Sequence, residues 1–198
     1  LKLKDLRESK KLNNSQLQKQ IDDKYFIAVG RLTKQKNFQY LIKEYKKFQN
    51  ISSEYKLLIF GEGEEKNKLK KLIIQNNLEK NIFLMGYSKN VYNYMRNAEA
   101  LILSSLWEDP GFVLIEAAIN NLFIISSDCK NGPKEFLNNG KGGIIFNNNE
   151  KNALFESLIK FNNLSDADKL KKKKISKKNC DKFTIFKHYI KFQSLIRN

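Results

Sequence analysis

Two carboxylates, Glu108 and Glu116, are separated by seven residues across a Pro-Gly turn in the run Ser104-Ser-Leu-Trp-Glu-Asp-Pro-Gly-Phe-Val-Leu-Ile-Glu116. An apolar stretch, Ala100–Leu103, precedes the turn, and Phe112, Ile115 and Ile119 recur behind it at helical spacing. The turn therefore joins the carboxyl end of a strand to the amino end of a helix. Free backbone N–H groups and the positive end of the helix dipole favour an anion there, phosphate above all. Carboxylates nearby accept hydrogen bonds from sugar hydroxyls, and ligands of open α/β sheets gather at such turns. A nucleotide sugar carries both kinds of group.

A second cluster, Gly30-Arg-Leu-Thr-Lys-Gln-Lys36, follows an earlier apolar run and leads into a helix that Asn37 could cap. Arg31 offers a fork matching phosphate oxygens and Lys36 a mobile point charge, a pair suited to a diphosphate whose charge rises in a transition state. Two solvated loop cations would have the same residue types. Gly61-Glu-Gly63 starts like a dinucleotide fingerprint, but Lys66 stands where a third glycine belongs. A tight strand-to-helix turn is the commoner use of such glycines, so direct ligand contact at Gly61 is the narrower reading. Asp166-Ala-Asp168 follows Ser165 and reads as the acidic first turn of a helix rather than a metal-binding pair. Asp128 could face a sugar hydroxyl or bond within its own turn, and Pro133 is placed to begin a short helix reaching Leu137. His188, among Phe186, Tyr189 and Ile190, has no nucleophile beside it in sequence and reads as structural.

The elements that must position these groups alternate regularly. Apolar runs at 25–29, 56–60, 82–85, 100–103, 122–125 and 143–146 are separated by helical patterns, the βαβ signature of a parallel sheet. Phe38, Leu41, Ile42, Tyr45 and Phe48 form one helical stripe and Leu69, Leu72 and Ile73 another. Beyond Phe146 the pattern is helical, near 150–162, 165–180 and 183–197. Residues 1–23 are polar and lysine-rich and read as a linker from a preceding domain, so the chain reads as a fragment.

With 198 residues the chain suits one ordinary core. Its cysteines, Cys129 and Cys180, form no CxxC pair, which argues for reduced thiols and against a zinc site or disulfide framework. No run approaches the roughly 20 apolar residues of a membrane span, and a cytoplasmic location is expected. A net charge of +16 arises from 37 Lys and Arg against 21 Asp and Glu. Solvated helix faces account for much of it. A basic surface also binds anionic lipid, by about 1 kcal/mol per well-placed lysine, which leaves room for peripheral contact with the inner face of a membrane. A basic nucleic-acid-binding module is the competing class.

Gly30-Arg31-Leu32…Lys36, Gly61-x-Gly63, Phe83-Leu-Met-Gly86-Tyr87 and Glu108…Gly111-Phe112…Glu116-Ala117, in this order, resemble the carboxyl-terminal domain of glycosyltransferase family 4. The resemblance runs from about residue 24 to the end. It implies one half of a GT-B fold: a Rossmann-like parallel sheet flanked by helices over 24–182, with helix 183–198 crossing back to the amino-terminal domain. It further implies that Arg31 and Lys36 hold the donor diphosphate, Glu108 meets the transferred sugar, and Glu116 holds the ribose. Backbone amides at Gly111 and Phe112 touch sugar or phosphate, and Tyr87 lies in the base-binding loop. The implied reaction is hexosyl transfer to an acceptor hydroxyl with retention, without a bound metal or other cofactor and without a nucleic acid partner. A sugar-nucleotide epimerase would share the fold. Asp109-Pro110 stand in place of the family's usual sequence after the first carboxylate, and Glu64 stands where proline is frequent. Together with Ser127-Asp-Cys-Lys-Asn-Gly-Pro-Lys-Glu135 this is most similar to bacterial enzymes of capsule, lipopolysaccharide or protein-linked glycan synthesis, and favours a UDP-sugar over a GDP-sugar.

Overall fold

The computed structural model describes residues 24–108, 111–148 and 150–180. The expected linker at 1–23, the expected helix at 183–198 and His188 lie outside the described residues. Six parallel strands form one sheet: β1 (Lys24–Val29), β2 (Tyr55–Phe60), β3 (Ile82–Gly86), β4 (Ala100–Leu103), β5 (Phe123–Ser127) and β6 (Ile144–Phe146). Seven α-helices connect or follow them: α1 (Phe38–Gln49), α2 (Lys66–Gln75), α3 (Val91–Asn97), α4 (Phe112–Ile119), α5 (Pro133–Phe136), α6 (Ala153–Asn163) and α7 (Asp166–Asn179).

The strands are nearly continuous apolar runs because both faces of the sheet are covered. Side chains of successive strand residues point to opposite faces. Phe26, Leu57, Ile59, Ile102, Phe123 and Ile125 accordingly enter one core layer, with Tyr45 and Phe48 of α1, Leu69 of α2 and Leu158 and Phe161 of α6. Ile27, Leu58, Leu101, Leu103 and Ile124 enter the other, with Met95 of α3, Leu114 and Ala117 of α4, and Cys180. Phe26 knits the first layer together, stacked on Tyr55 at 4.7 Å and edge-on to Phe161 at 5.6 Å between ring centroids. Such aromatic geometry adds to simple burial.

The strand order is β3-β2-β1-β4-β5-β6. Each outer set of three follows the chain consecutively, and the two sets meet only where β1 lies against β4. That seam is narrow. β1 pairs with β2 over six residue pairs, from Lys24↔Tyr55 to Val29↔Phe60, but with β4 only at Phe26↔Ala100 and Ile27↔Leu101. Beyond the seam the chain leaves β1 and β4 towards opposite sides of the sheet, and the divergence opens a crevice at the carboxyl edge.

Local chemistry accounts for most element ends. Ser165 caps α7, its Oγ accepting from the Asp168 N–H at 3.1 Å, and Asp166 and Asp168 lie in the first turn. Pro133 opens α5 as the sequence suggests, although the helix ends at Phe136. Asn37 is the N-cap of α1, as expected. Its backbone is left-handed at φ 53°, and its side chain makes no cap bond. The chain arrives there from a 3-10 turn at Lys34–Lys36, and the positive φ reverses it into α1. Asparagine tolerates that conformation better than most residues. Helix α3, one of the helical patterns expected between the apolar runs, is only seven residues long.

Candidate functional site

The crevice at the β1–β4 seam is walled by the loops that follow these two strands. After β1, the Gly30 N–H donates to the Phe60 carbonyl at 3.0 Å and the Leu32 N–H to the Glu62 carbonyl at 2.9 Å, laying the loop along the end of β2. A Cβ on Gly30 would sit 2.9 Å from Lys36 Cε, so the lysine stem lies directly over the glycine. The loop after β4 is stitched to the first. Ser104 Oγ donates to the Lys36 carbonyl at 2.7 Å, the Leu106 N–H to the Gln35 carbonyl at 2.8 Å, and Gln35 Nε2 to the Trp107 carbonyl at 2.9 Å. From the far side, the Glu108 N–H donates to the Lys130 carbonyl at 3.2 Å.

These bonds bring together two residues that the sequence reading assigned to different parts of a ligand. Lys36 Nζ lies 2.6 Å from Glu108 Oε1, with the side chains only 13% and 4% exposed. Ser105 Oγ donates to the same carboxylate oxygen, and Ser127 Oγ holds the Ser105 carbonyl at 2.7 Å. Both donors use Oε1, so the geometry fixes the carboxyl plane. A buried ion pair pays a desolvation cost that good geometry and further hydrogen bonds must offset. Ser105 supplies one of those bonds.

Glu116 stands on α4, whose N-cap is Gly111 at φ 72°. Only a residue without Cβ takes that conformation freely, and a Cβ there would touch the Glu108 side chain at 3.4 Å. Gly111 and Phe112 thus place backbone N–H groups at a helix amino end next to Glu108, while the Phe112 ring is exposed. Tyr92 OH of α3 donates to Glu116 Oε1 at 3.4 Å. Burial raises the Glu116 pKa above the ordinary 4.5, and the Tyr92 bond opposes the shift. Because folding favours the protonated form, charge on Glu116 costs stability at neutral pH, and that cost vanishes as pH falls below the ordinary value. Glu116→Gln is therefore expected to raise the denaturation midpoint at pH 7, with a gain that disappears near pH 4. A midpoint raised equally at both pH values would show that the charge is not responsible.

A cleft of about 330 Å³ adjoins the pair on the β2 side. Val29, Phe60 and Val91 form its apolar wall, and Arg31, Gly61 and Tyr87 also line it. Arg31 and Tyr87 are exposed, the tyrosine 75% so. Gly61, at φ 141°, packs so tightly on the β1 loop that a Cβ would fall 1.9 Å from the Gly30 carbonyl oxygen. Gly30 lines the cleft and also underlies Lys36, so the cleft and the ion pair share a floor. Val91 and Tyr92 are the first two residues of α3, which connects the cleft wall to Glu116.

Arg31, Gly61 and Tyr87 thus share the cleft, Lys36 and Glu108 share the ion pair, and Gly111, Phe112 and Glu116 lie on the helix behind it. The sequence reading missed Ser105, Ser127 and Tyr92, which hold the two carboxylates. Ser105 had one signal, its place three residues before Glu108. Asp128 bonds beyond its own turn, accepting from the N–H of Asn148, 20 residues on, at 3.2 Å, with Lys134 at 3.6 Å. Cys129 lies against the pair, but burial pushes its thiol pKa up, the opposite of a reactive thiolate. Among the described residues, no three His, Cys, Asp or Glu side chains converge as a metal site, and no helix is long and apolar enough to cross a membrane.

Known proteins resemble this chain in sequence and in fold. An uncharacterized glycosyltransferase of Methanocaldococcus jannaschii is 42% identical over 131 residues, which are 64% of this chain and 32% of the relative. A Campylobacter jejuni protein, N-acetylgalactosamine-N,N'-diacetylbacillosaminyl-diphospho-undecaprenol 4-alpha-N-acetylgalactosaminyltransferase, is 33% identical over 77% of this chain and 40% of its own length. The chain thus spans well under half the length of either relative. Among solved structures, a mutant S. aureus TarM in complex with Fondaparinux, alpha-GlcNAc-glycerol and UDP superposes with a TM-score of 0.81 at 25% identity, over 89% of this chain and 36% of that one. Residues 9–179 match the family model described as Glycosyl transferases group 1, and the chain, with its Rossmann-like sheet of the GT-B kind, belongs to that family.

Proposed function

We propose that this chain is the donor-binding domain of a retaining glycosyltransferase that moves a hexosyl group from a UDP-sugar to an acceptor hydroxyl in glycan, capsule or lipopolysaccharide synthesis. The observation that carries the reading is the junction at Gly30, where a cleft with an arginine and an exposed tyrosine meets a buried lysine–glutamate pair at the switch point of the sheet. A nucleoside diphosphate sugar laid across it would have its base by Tyr87 and its ribose hydroxyls towards Glu116. Its diphosphate would lie by Arg31 and Lys36, and its sugar would reach Glu108 and the amides of Gly111 and Phe112.

In the transfer, the bond from the anomeric carbon to the diphosphate oxygen breaks and a bond to the acceptor oxygen forms on the same face. The electron pair leaves with the nucleoside diphosphate, and the proton of the acceptor hydroxyl passes to the departing phosphate oxygen on that same face. Arg31 and Lys36 act where that negative charge grows, which makes their contribution electrostatic and needs no covalent intermediate on the protein. The carboxylates act as hydroxyl acceptors rather than as an acid and nucleophile. The reading assigns neither a metal nor another cofactor to the domain.

UDP is favoured as the carrier because the TarM structure contains it. The Campylobacter relative is named for an undecaprenol-linked acceptor, which makes a lipid-linked glycan the favoured acceptor class and a membrane surface the favoured workplace. A facing domain would supply the acceptor site and close the cleft. The nucleic-acid module and the epimerase draw no support from these likenesses.

Calorimetric titration with UDP and with GDP, at moderate salt and without divalent metal, tests the reading. Selective UDP binding is expected, and Arg31→Ala is expected to weaken it by about 1–3 kcal/mol, the loss of a charge-assisted hydrogen bond. Equal affinity in the parent and Arg31→Ala would remove the diphosphate from the place assigned to it.

A further inference from the structure

Helix α7, Asp-Ala-Asp-Lys-Leu-Lys-Lys-Lys-Lys-Ile-Ser-Lys-Lys-Asn, carries lysines that fall into two groups once the helix is docked. On the inner side, Lys172 donates to the carbonyls of Gly140 and Gly143 at 2.7 and 3.1 Å, and Lys169 lies 4.2 Å from the centroid of the Phe161 ring. Ser176 is buried, and Asn179 Nδ2 donates to the Phe136 carbonyl at 2.7 Å. These contacts fix the rotation of the helix. At about 100° per residue, the opposite face then presents Leu170, Lys171, Lys174, Lys177 and Lys178. All five are exposed, and Leu170 is 44% so. Among the described residues, none of these four lysines meets a carboxylate, while Asp168 at the amino end is held by Ser165.

We propose that this outer face of α7 is a docking surface for an anionic lipid bilayer. A helix exposing four unpaired ammonium groups around one leucine has the charge and the shallow apolar point that a phospholipid headgroup layer attracts. A nucleic acid fits less well. The face offers no arginine fork for phosphate or guanine, and no aromatic ring on which a base could stack. The role of the surface rests on the proposed lipid-linked acceptor, since it would hold the domain where such an acceptor resides; the binding itself does not depend on nucleotide.

Cosedimentation of the 198-residue protein with phosphatidylcholine vesicles, with and without about 30% phosphatidylglycerol, tests the proposal. The protein is expected to pellet with the anionic vesicles and to be released by raised salt. Charge reversal at Lys171, Lys174, Lys177 and Lys178 together is expected to lower the partition coefficient by about a thousandfold or more. Replacement of the same four by glutamine is expected to produce a smaller loss in the same direction. UDP titration of each variant runs in parallel and is expected to match the parent, so that failure of the donor site and failure of the membrane surface are read separately. Equal pelleting with zwitterionic vesicles, unchanged partitioning of both variants, or release from anionic vesicles by an equal mass of duplex DNA would overturn it.

Discussion

Lys36→Met is expected to lower the unfolding free energy by about 3–5 kcal/mol, the usual cost of removing one partner from a buried ion pair. Glu108 is 4% exposed and would retain only the Ser105 hydroxyl as a side-chain donor to Oε1. Glu108→Gln should cost less, because a neutral amide in the same place still accepts from Ser105 through its oxygen. The informative variant is the double one. With Lys36→Met and Glu108→Gln combined, neither charge is stranded, and the loss should be smaller than that of Lys36→Met alone. Urea denaturation with a constant dependence on denaturant measures all three. A double variant as unstable as the sum of the singles would mean that the two side chains are not coupled.

Gly61→Ala should have a comparable effect for a different reason. The new Cβ would lie 1.9 Å from the Gly30 carbonyl oxygen, and φ is 141°, outside the range that alanine adopts without strain. No rotamer change relieves a contact with backbone. The loops after β1 and β2 would have to part, straining the Gly30 to Phe60 bond at 3.0 Å and the Gly61 to Gly86 bond at 2.8 Å. A loss of about 3–5 kcal/mol is expected, with disappearance of nucleotide binding because the cleft is built on those two loops. Gly140→Ala is the control. At φ 86° it carries a conformational penalty but has no atom within 4 Å of the added Cβ, so about 1–2 kcal/mol is expected. Similar losses at the two glycines would show that backbone conformation, rather than the close approach of the loops, sets the requirement at Gly61.

The sheet was legible in the sequence because a doubly covered strand cannot alternate. Each of the six apolar runs corresponds to a strand, with ends shifted by one or two residues. Helices with a long stripe, such as α1, were equally plain. Helix α3 was legible only as part of the alternation, since seven residues between two short loops give no long stripe of their own. At the site, glycines and charged residues were visible because their types are unusual in such places. What held them was not. Lys36 and Glu108 lie 72 positions apart, and nothing local to either residue announces the other. The same is true of Tyr92 beneath Glu116 and Ser127 beneath Ser105, whose contacts arise from the stacking order of strands and helices. Asn37 was legible as the N-cap of α1, but its left-handed backbone was not, because asparagine has two uses at a helix start and the choice depended on the 3-10 turn before it.

The two-pair seam between β1 and β4 also sets an order of assembly. Strands β1 to β3 can pair with their neighbours in the order in which they are made, and so can β4 to β6. Only the central seam must wait for a contact across some 70 residues, and contacts of long sequence separation form after the loop-closure cost has been met. Synthesis proceeds from the amino end, so the residues of the arginine loop are made before any residue of the second set has been added. Under the proposed function, a chain ending before β4 would have the arginine loop but neither Glu108 nor helix α4, and so no place for the sugar.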